Sequence, residues 1–155
     1  SSNKIRDYKE YVQNVDTYDN WAMTGRTTMY EYGNSTMLMS PSVTGMMKLT
    51  FIPWKKAAVS IDGKYVGMQY LDNTMTLSRS IPSYFVSNLS VSHTFDLNRG
   101  SLGLALYVNN IFNNMYYADG WCWKNIIEED GALVDGIGIY PQAPVNYMLK
   151  ASYRF

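Results

Sequence analysis

His93 and Cys122 are the first side chains to consider for metal or nucleophilic chemistry, because the sequence contains one histidine and one cysteine. A metal site needs three or four converging ligands, and these usually occur at characteristic spacings. Neither residue has a second ligand at such a spacing. The sequence therefore predicts no metal site at His93 or Cys122, and a single cysteine cannot form an internal disulfide.

Carboxylates are concentrated in one long segment that also contains Trp121 and Trp123. Such a segment could attract cations or basic peptides, but a solvated loop with aromatic rings packed on its own base is the favoured interpretation. Spacing suggests no His or Ser partner, no Gly-rich phosphate loop and no nucleophile elbow. The sequence therefore predicts no enzyme, no catalytic residue and no cofactor. The carboxylates are Asp119, Glu128, Glu129, Asp130 and Asp135.

Composition points to strands and interfaces. The 155 residues include 13 basic and 13 acidic side chains, so no net charge or basic cluster favours nucleic acid as a partner. The 14 tyrosines and four tryptophans are amphipathic side chains, which are frequent in strands, interfaces and the aromatic girdles of membrane barrels. No run approaches the ~18 apolar residues of a transmembrane helix.

The elements that must position these residues have a period of two. Residues 145–155 alternate apolar and polar side chains, so an extended chain there has one greasy and one wet face. The run has the length of a membrane-spanning strand, roughly nine to eleven residues. The same period recurs in four earlier segments. The predicted strands are residues 36–52, 57–68, 84–95, 102–112 and 143–155.

Links between these strands alternate in length. Residues 53–56 and 96–101 are short and rich in turn formers, whereas residues 11–35, 69–83 and 116–143 are long. Short turns at one end and long loops at the other are typical of an outer-membrane barrel. Residues 1–10 are then predicted to be the remainder of a sixth strand. Six strands cannot easily close, so we expect the carboxy-terminal part of a larger barrel.

Prolines and charged residues fit this arrangement. Pro41 has no N–H for a strand ladder, so we expect the embedded strand to begin near Val43 and to end at Pro53. Charged side chains fall on the wet faces, where they could bind an anionic solute or plug carboxylates. Facing a hydrated lumen is the simpler interpretation. These residues are Lys48, Asp62, Lys64 and Lys150.

Three segments resemble the carboxy-terminal end of TonB-dependent outer-membrane receptors, especially those of the Bacteroidetes type. They are KYVGMQYLDNT (64–74), VNNIFNNMY (108–116) and YRF (153–155). The second and third patterns are widespread in that superfamily, whereas the first is narrower. The residues that carry the resemblance are Lys64, Tyr65, Gly67, Gln69, Tyr70, Asp72, Asn73, Asn109, Asn110, Phe112, Tyr116 and Arg154.

The resemblance implies an all-β fold: an antiparallel up-and-down transmembrane β-barrel of about 22 strands with a plugged lumen, of which residues 1–155 supply about six strands. It further implies a bacterial outer-membrane location and energy-coupled uptake of a scarce solute, such as a ferric chelate, cobalamin, a glycan or a peptide. Its implied partners are the rest of the barrel and plug, the TonB complex acting through a missing amino-terminal part, and outer-membrane lipid.

The aromatic carboxy-terminal pattern looks like the signal that the outer-membrane insertion machinery recognises. We predict this role for Tyr147, Tyr153 and Phe155, and a place in an aromatic girdle is compatible with it. Two other functions stay open on sequence grounds. One is a soluble all-β binding module with a tyrosine-rich recognition surface, and the other is a small pore closed by several copies of the chain.

Overall fold

The computed structural model describes residues 2–155 and is all-β, with eleven strands and one short 3-10 helix at Leu77–Arg79. Two compact units are present: one contains the described residues of 1–42 with 67–82 and 117–140, and the other contains 43–66, 83–116 and 141–155. The strands are β1 (Lys4–Asp16), β2 (Ala22–Thr36), β3 (Thr44–Phe51), β4 (Ala57–Val66), β5 (Gln69–Tyr70), β6 (Ser80–Ile81), β7 (Tyr84–Leu97), β8 (Gly100–Asn109), β9 (Tyr117–Ile127), β10 (Leu133–Pro141) and β11 (Asn146–Arg154).

The second unit is a five-stranded antiparallel sheet in the order β11-β8-β7-β4-β3. Each strand pairs with the strand of the same sheet that precedes it in sequence, which is the up-and-down order that the sequence predicts. β3 begins at Thr44, so Pro41 lies outside the strand as expected. The β7–β8 link is only two residues long, because the pairing of these strands extends to Leu97 and Gly100.

Alternation along the strands becomes continuous rows across the sheet. Residues paired across strands share a face, and one row joins Phe51, Val59, Val91, Leu106 and Leu149. A neighbouring row on the opposite face joins Thr50, Ser60, Ser90, Tyr107 and Met148. The predicted greasy and wet faces are therefore confirmed by the pairing register.

The first unit contains a four-stranded sheet in the order β10-β9-β1-β2 and a two-stranded pair of β5 and β6. β1 and β2 form a long antiparallel hairpin with three register shifts. β1 also pairs with β9 in parallel, through Asn14 with Ile126 and Val15 with Ile127. The buried apolar residues of the first unit are Val12, Val15, Leu71, Ile81 and Ile126.

Two sequence predictions are wrong in detail. The long links are not loops throughout, since residues 11–35 contain the end of β1 and most of β2, residues 69–83 contain β5 and β6, and residues 116–143 contain β9 and β10. Tyr, Trp and Thr favour extended structure in these segments, and pairing satisfies the backbone N–H and C=O groups. Residues 1–10 do not supply a sixth strand of the five-stranded sheet, because β1 pairs with β2 and β9 instead.

Among residues 2–155, no helix has both the length and the apolar character needed to cross a bilayer.

Candidate functional site

The greasy face of the five-stranded sheet is the first functional surface. Phe51 is 68% exposed and Leu149 is 73% exposed, although both belong to a row that is apolar on all five strands. The buried apolar side chains of this unit are few, namely Ala57, Val66 and Val86. A soluble sandwich would cover such a face with a second layer, and large contiguous apolar surfaces mark interaction with a partner or membrane.

The opposite face of this sheet is polar and internally hydrogen bonded. Asn88 Nδ2 donates to Asp62 Oδ2 at 2.7 Å, and the hydroxyls of Thr50 and Ser60 lie 2.8 Å apart. Asp62 also pairs with Lys48 in register. The predicted lumen-facing residues therefore share a polar face, where their arrangement suits contact with water or polar protein surfaces.

Aromatic residues lie at the short-turn end of the same sheet. The rings of Tyr153 and Phe155 are 5.0 Å apart and meet edge to face, at 85°. Tyr147, the third predicted member of the insertion signal, lies six residues earlier on β11, about 20 Å away along an extended strand. The geometry thus brings together two of the three residues at the short-turn end of the sheet, and insertion by the outer-membrane machinery stays a prediction.

A group of hydrogen-bonded asparagines lies at the end of β8 and in the segment that follows it. Asn110 is 2% exposed, has a φ of 52°, and is part of the segment that carries the family resemblance. Its side chain donates to the carbonyls of Asn114 at 2.9 Å and Ala143 at 3.2 Å, and accepts the amide N–H of Asn114 at 3.0 Å. Asn109 Nδ2 donates to Asn146 Oδ1 at 2.8 Å. These residues shape the end of β8, which is a structural role.

The remaining motif residues lie on several elements. Lys64 and Tyr65 are on β4, Gly67 follows that strand, and Gln69 and Tyr70 form β5. Phe112 is 62% exposed, the rings of Tyr116 and Tyr84 are 4.8 Å apart, and Arg154 pairs with Ser101. The motif therefore does not form one site.

A buried ionic cluster is the most highly organised site of the first unit. Arg79, whose side chain is 5% exposed, donates from Nε to Asp72 Oδ2 at 2.7 Å and from Nη1 to Asp135. Its Nη2 donates to the hydroxyls of Thr74 at 2.9 Å and Thr76 at 3.0 Å. All the guanidinium nitrogens are therefore paired, as a buried arginine requires.

Lys124 extends this cluster to the central strands of the first unit's sheet. Its Nζ lies 2.6 Å from Glu10 Oε1 and 2.9 Å from Asp72 Oδ2. Burial would lower the pKa of Lys124, but its hydrogen bonds to Glu10 and Asp72 outweigh burial and raise the pKa. The cluster joins β1, β9, β10 and the segment between β5 and β6.

Asp72 is the shared acceptor of the cluster. Burial would raise its pKa, but hydrogen bonds from Thr74, Lys124 and Arg79 outweigh burial and lower the pKa to about 2. The backbone around it is closed by a hydrogen bond from Leu71 N to Arg79 O at 2.8 Å. Sequence reasoning placed Asp72 and Thr74 in a motif segment but missed Arg79, Lys124, Glu10 and Thr76.

The predicted acidic segment is dispersed among structural roles. Glu128 accepts from Asn14 and Arg26, Glu129 accepts from Thr17, and Asp135 pairs with Arg79. Among residues 2–155, no group of three or more His, Cys, Asp or Glu side chains is arranged to hold a metal ion. Cys122 is half-buried, and burial raises the pKa of its thiol, which makes it a poor nucleophile.

Trp121 and Trp123 pack across glycines of the adjacent strand. A Cβ added at Gly138 would lie 2.3 Å from Trp121 Nε1, and one at Gly136 would lie 2.6 Å from Trp123 Nε1. The indole rings therefore use the space that the glycines leave. This arrangement agrees with the favoured interpretation of aromatic rings packed on the base of their own segment.

Comparison with known proteins identifies the fold. No family model and no curated protein matches the chain. Among solved structures, the chain is similar to the ferric citrate transporter FecA in its unliganded form, with a TM-score of 0.57 and 20% sequence identity over 81% of this chain. The match covers 20% of the transporter, so the chain spans about one fifth of its length. The chain therefore has the all-β fold of a part of that transporter.

Proposed function

We propose that this chain is part of the wall and outer loops of a TonB-dependent receptor in the bacterial outer membrane, where it serves energy-coupled uptake of a scarce solute. The five-stranded sheet forms the wall, and the strands of the first unit form the outer loops. The rest of the barrel, a plug and the TonB complex are the partners that this role requires.

The apolar face of the five-stranded sheet carries the proposal. An apolar row runs across all five strands through Phe51, Val59, Val91, Leu106 and Leu149, and all of these residues except the half-buried Val59 are exposed. A barrel strand in a bilayer needs this outward face and a polar inward face. The structurally similar protein is named as a ferric citrate transporter, which supports solute uptake. Ferric chelates, cobalamin, glycans and peptides all fit this role.

A pair of substitutions on β8 tests the membrane-facing assignment. Leu106 and Tyr107 are neighbours at the same depth but on opposite faces. Leu106→Arg should destabilise the protein assembled in phospholipid vesicles by about 2–4 kcal/mol, which is the cost of Arg near the bilayer midplane on a lipid-facing site. Tyr107→Arg is the matched control and should cost much less. Urea titrations of vesicle-assembled protein measure both.

A soluble binding module predicts a different result. In that case the chain unfolds cooperatively without lipid or detergent, and vesicles protect neither face from added protease. Equal costs for Leu106→Arg and Tyr107→Arg would also contradict the membrane-facing assignment. The proposed function would then be rejected in favour of a self-contained β-fold.

A further inference from the structure

The short-turn end of the five-stranded sheet combines exposed cations with aromatic rings. Four exposed basic side chains lie there with one acidic side chain, so the side-chain charge is +3, from four minus one. We call this surface the turn-end rim. Its charged members are Lys55 and Lys56 between β3 and β4, Asp96 on β7, Arg99 between β7 and β8, and Arg154 at the end of β11.

Most of the rim's positive charge is available to a ligand. Lys56 pairs with Asp96, but within residues 2–155 no acidic side chain forms an ion pair with Lys55 or Arg99. Both of these side chains are exposed. Ammonium and guanidinium groups are the usual protein donors to phosphate oxygens. The rim therefore suits an anionic, phosphate-containing ligand.

Aromatic rings fix the level of this rim relative to the apolar face. His93 meets Phe95 edge to face at 4.4 Å and Trp54 at 6.1 Å, and Trp54 is 63% exposed. His93 lies on the apolar face and pairs with Ala57 and Leu104. Its enclosed Nδ1 has no hydrogen-bond partner in the described part of the chain. The rings of Trp54, His93 and Phe95 thus form one aromatic group where the apolar face meets the rim, and aromatic side chains of this kind are enriched at membrane interfaces.

We infer that the turn-end rim binds the phosphate headgroups of anionic phospholipids, an inference that rests on the proposed membrane location. Positive charge alone would also suit nucleic acid or an acidic protein. The rim, however, is continuous with the uncovered apolar face and is bordered by Trp54, Phe95 and Tyr153. A phospholipid with an anionic headgroup matches this arrangement, because its acyl chains suit the apolar face and its headgroup suits the adjoining rim.

Lipid-dependent quenching of tryptophan fluorescence tests this inference. The full chain is assembled in phosphatidylcholine vesicles, and brominated phosphatidylglycerol is compared with brominated phosphatidylcholine as a quencher of Trp54. A parallel Trp54→Phe variant supplies the signal of the other tryptophans. We expect phosphatidylglycerol to bind near Trp54 more strongly than phosphatidylcholine, by about five-fold for each unpaired cation at the rim. Increasing salt should reduce this preference.

Charge-neutral variants locate the binding site. Lys55→Gln combined with Arg99→Gln removes two unpaired cations and should reduce the preference for phosphatidylglycerol by about 25-fold. Lys4→Gln combined with Arg6→Gln removes the same charge from exposed positions in the first unit and should leave the preference unchanged. Circular dichroism confirms that each variant keeps its β-structure.

The outcomes separate this inference from the proposed function. If the chain assembles normally in vesicles but shows no preference for phosphatidylglycerol, the headgroup site alone is overturned. The same conclusion follows if both double variants lose that preference equally. Loss of the preference in millimolar inorganic phosphate indicates a site for free phosphate and also overturns it. If the chain does not enter vesicles, and Leu106→Arg has no effect, the membrane function itself is rejected.

Discussion

At the scale of single residues, the contacts of Arg79 show that the structural role of a short motif depends on distant residues of the folded chain. Its guanidinium is paired with two carboxylates and two hydroxyls from residues that lie up to 56 positions away. Asp72, Asn73 and Thr74 are recognisable in sequence as part of a motif. In the sequence, nothing distinguishes their partners from other charged residues, because the contacts depend on how strands β1, β9 and β10 assemble. These partners are Arg79, Lys124 and Glu10.

Replacement of Arg79 provides a test of the ionic cluster. Arg79→Met should reduce the local stability of residues 69–81 by about 3–5 kcal/mol, because Asp72 and Asp135 would lose the cation between them. Amide hydrogen exchange at Leu71, whose N–H bonds to Arg79 O, measures the effect. Lys9→Met is the control, since the Lys9–Glu31 pair is exposed to solvent and should contribute little to stability. Similar exchange in both variants would show that the cluster does not hold this segment.

At the scale of elements, sequence periodicity located the five strands of the wall well. Apolar and polar residues alternate there, so each strand lies inside its predicted bounds or extends at most two residues beyond them, and β3 starts later than predicted, at Thr44. β2, β9 and β10 were missed. Exposure alternates along β9 and β10, but Asp119, Trp121 and Trp123 share the exposed face of β9, and Gly136 and Gly138 share the other face of β10, so the alternation is not one of apolar and polar residues.

The β7–β8 hairpin depends on one glycine. Gly100 has a φ of +130°, and a Cβ there would lie 2.2 Å from the carbonyl oxygen of Arg154 on β11. Gly100→Ala should therefore cost about 2–3 kcal/mol through backbone strain and overlap with β11. Gly45→Ala on β3 is a matched control, since no atom lies within 4 Å of the added Cβ. Urea titration of vesicle-assembled protein should separate the two, and equal stability would contradict the close approach.

At the scale of the whole molecule, sequence indicated the fold class because apolar and polar residues alternate on every strand of the five-stranded sheet. The four-stranded sheet of the first unit follows no such rule. Its order β10-β9-β1-β2 joins segments that are more than a hundred residues apart, and its parallel contact between β1 and β9 involves only two residue pairs. Local propensity does not encode these long-range pairings, so the sequence alone does not predict them.

Acid should distinguish the two units, because the carboxylates with a lowered pKa lie in the first unit: Glu31, Asp72, Glu128 and Glu129. The pKa of Asp72 is about 2 in the fold and 3.8 ordinarily. Its stabilising effect is therefore complete above 3.8 and is lost as the pH falls from there towards 2. Amide hydrogen exchange in the first unit should accelerate over that range, while exchange in the five-stranded sheet changes less. The Asp72→Asn variant should be less stable at neutral pH and should show a shallower acid response. An acid transition of equal size in both units, or an unchanged response in Asp72→Asn, would rule out the ionic cluster as the source of acid sensitivity.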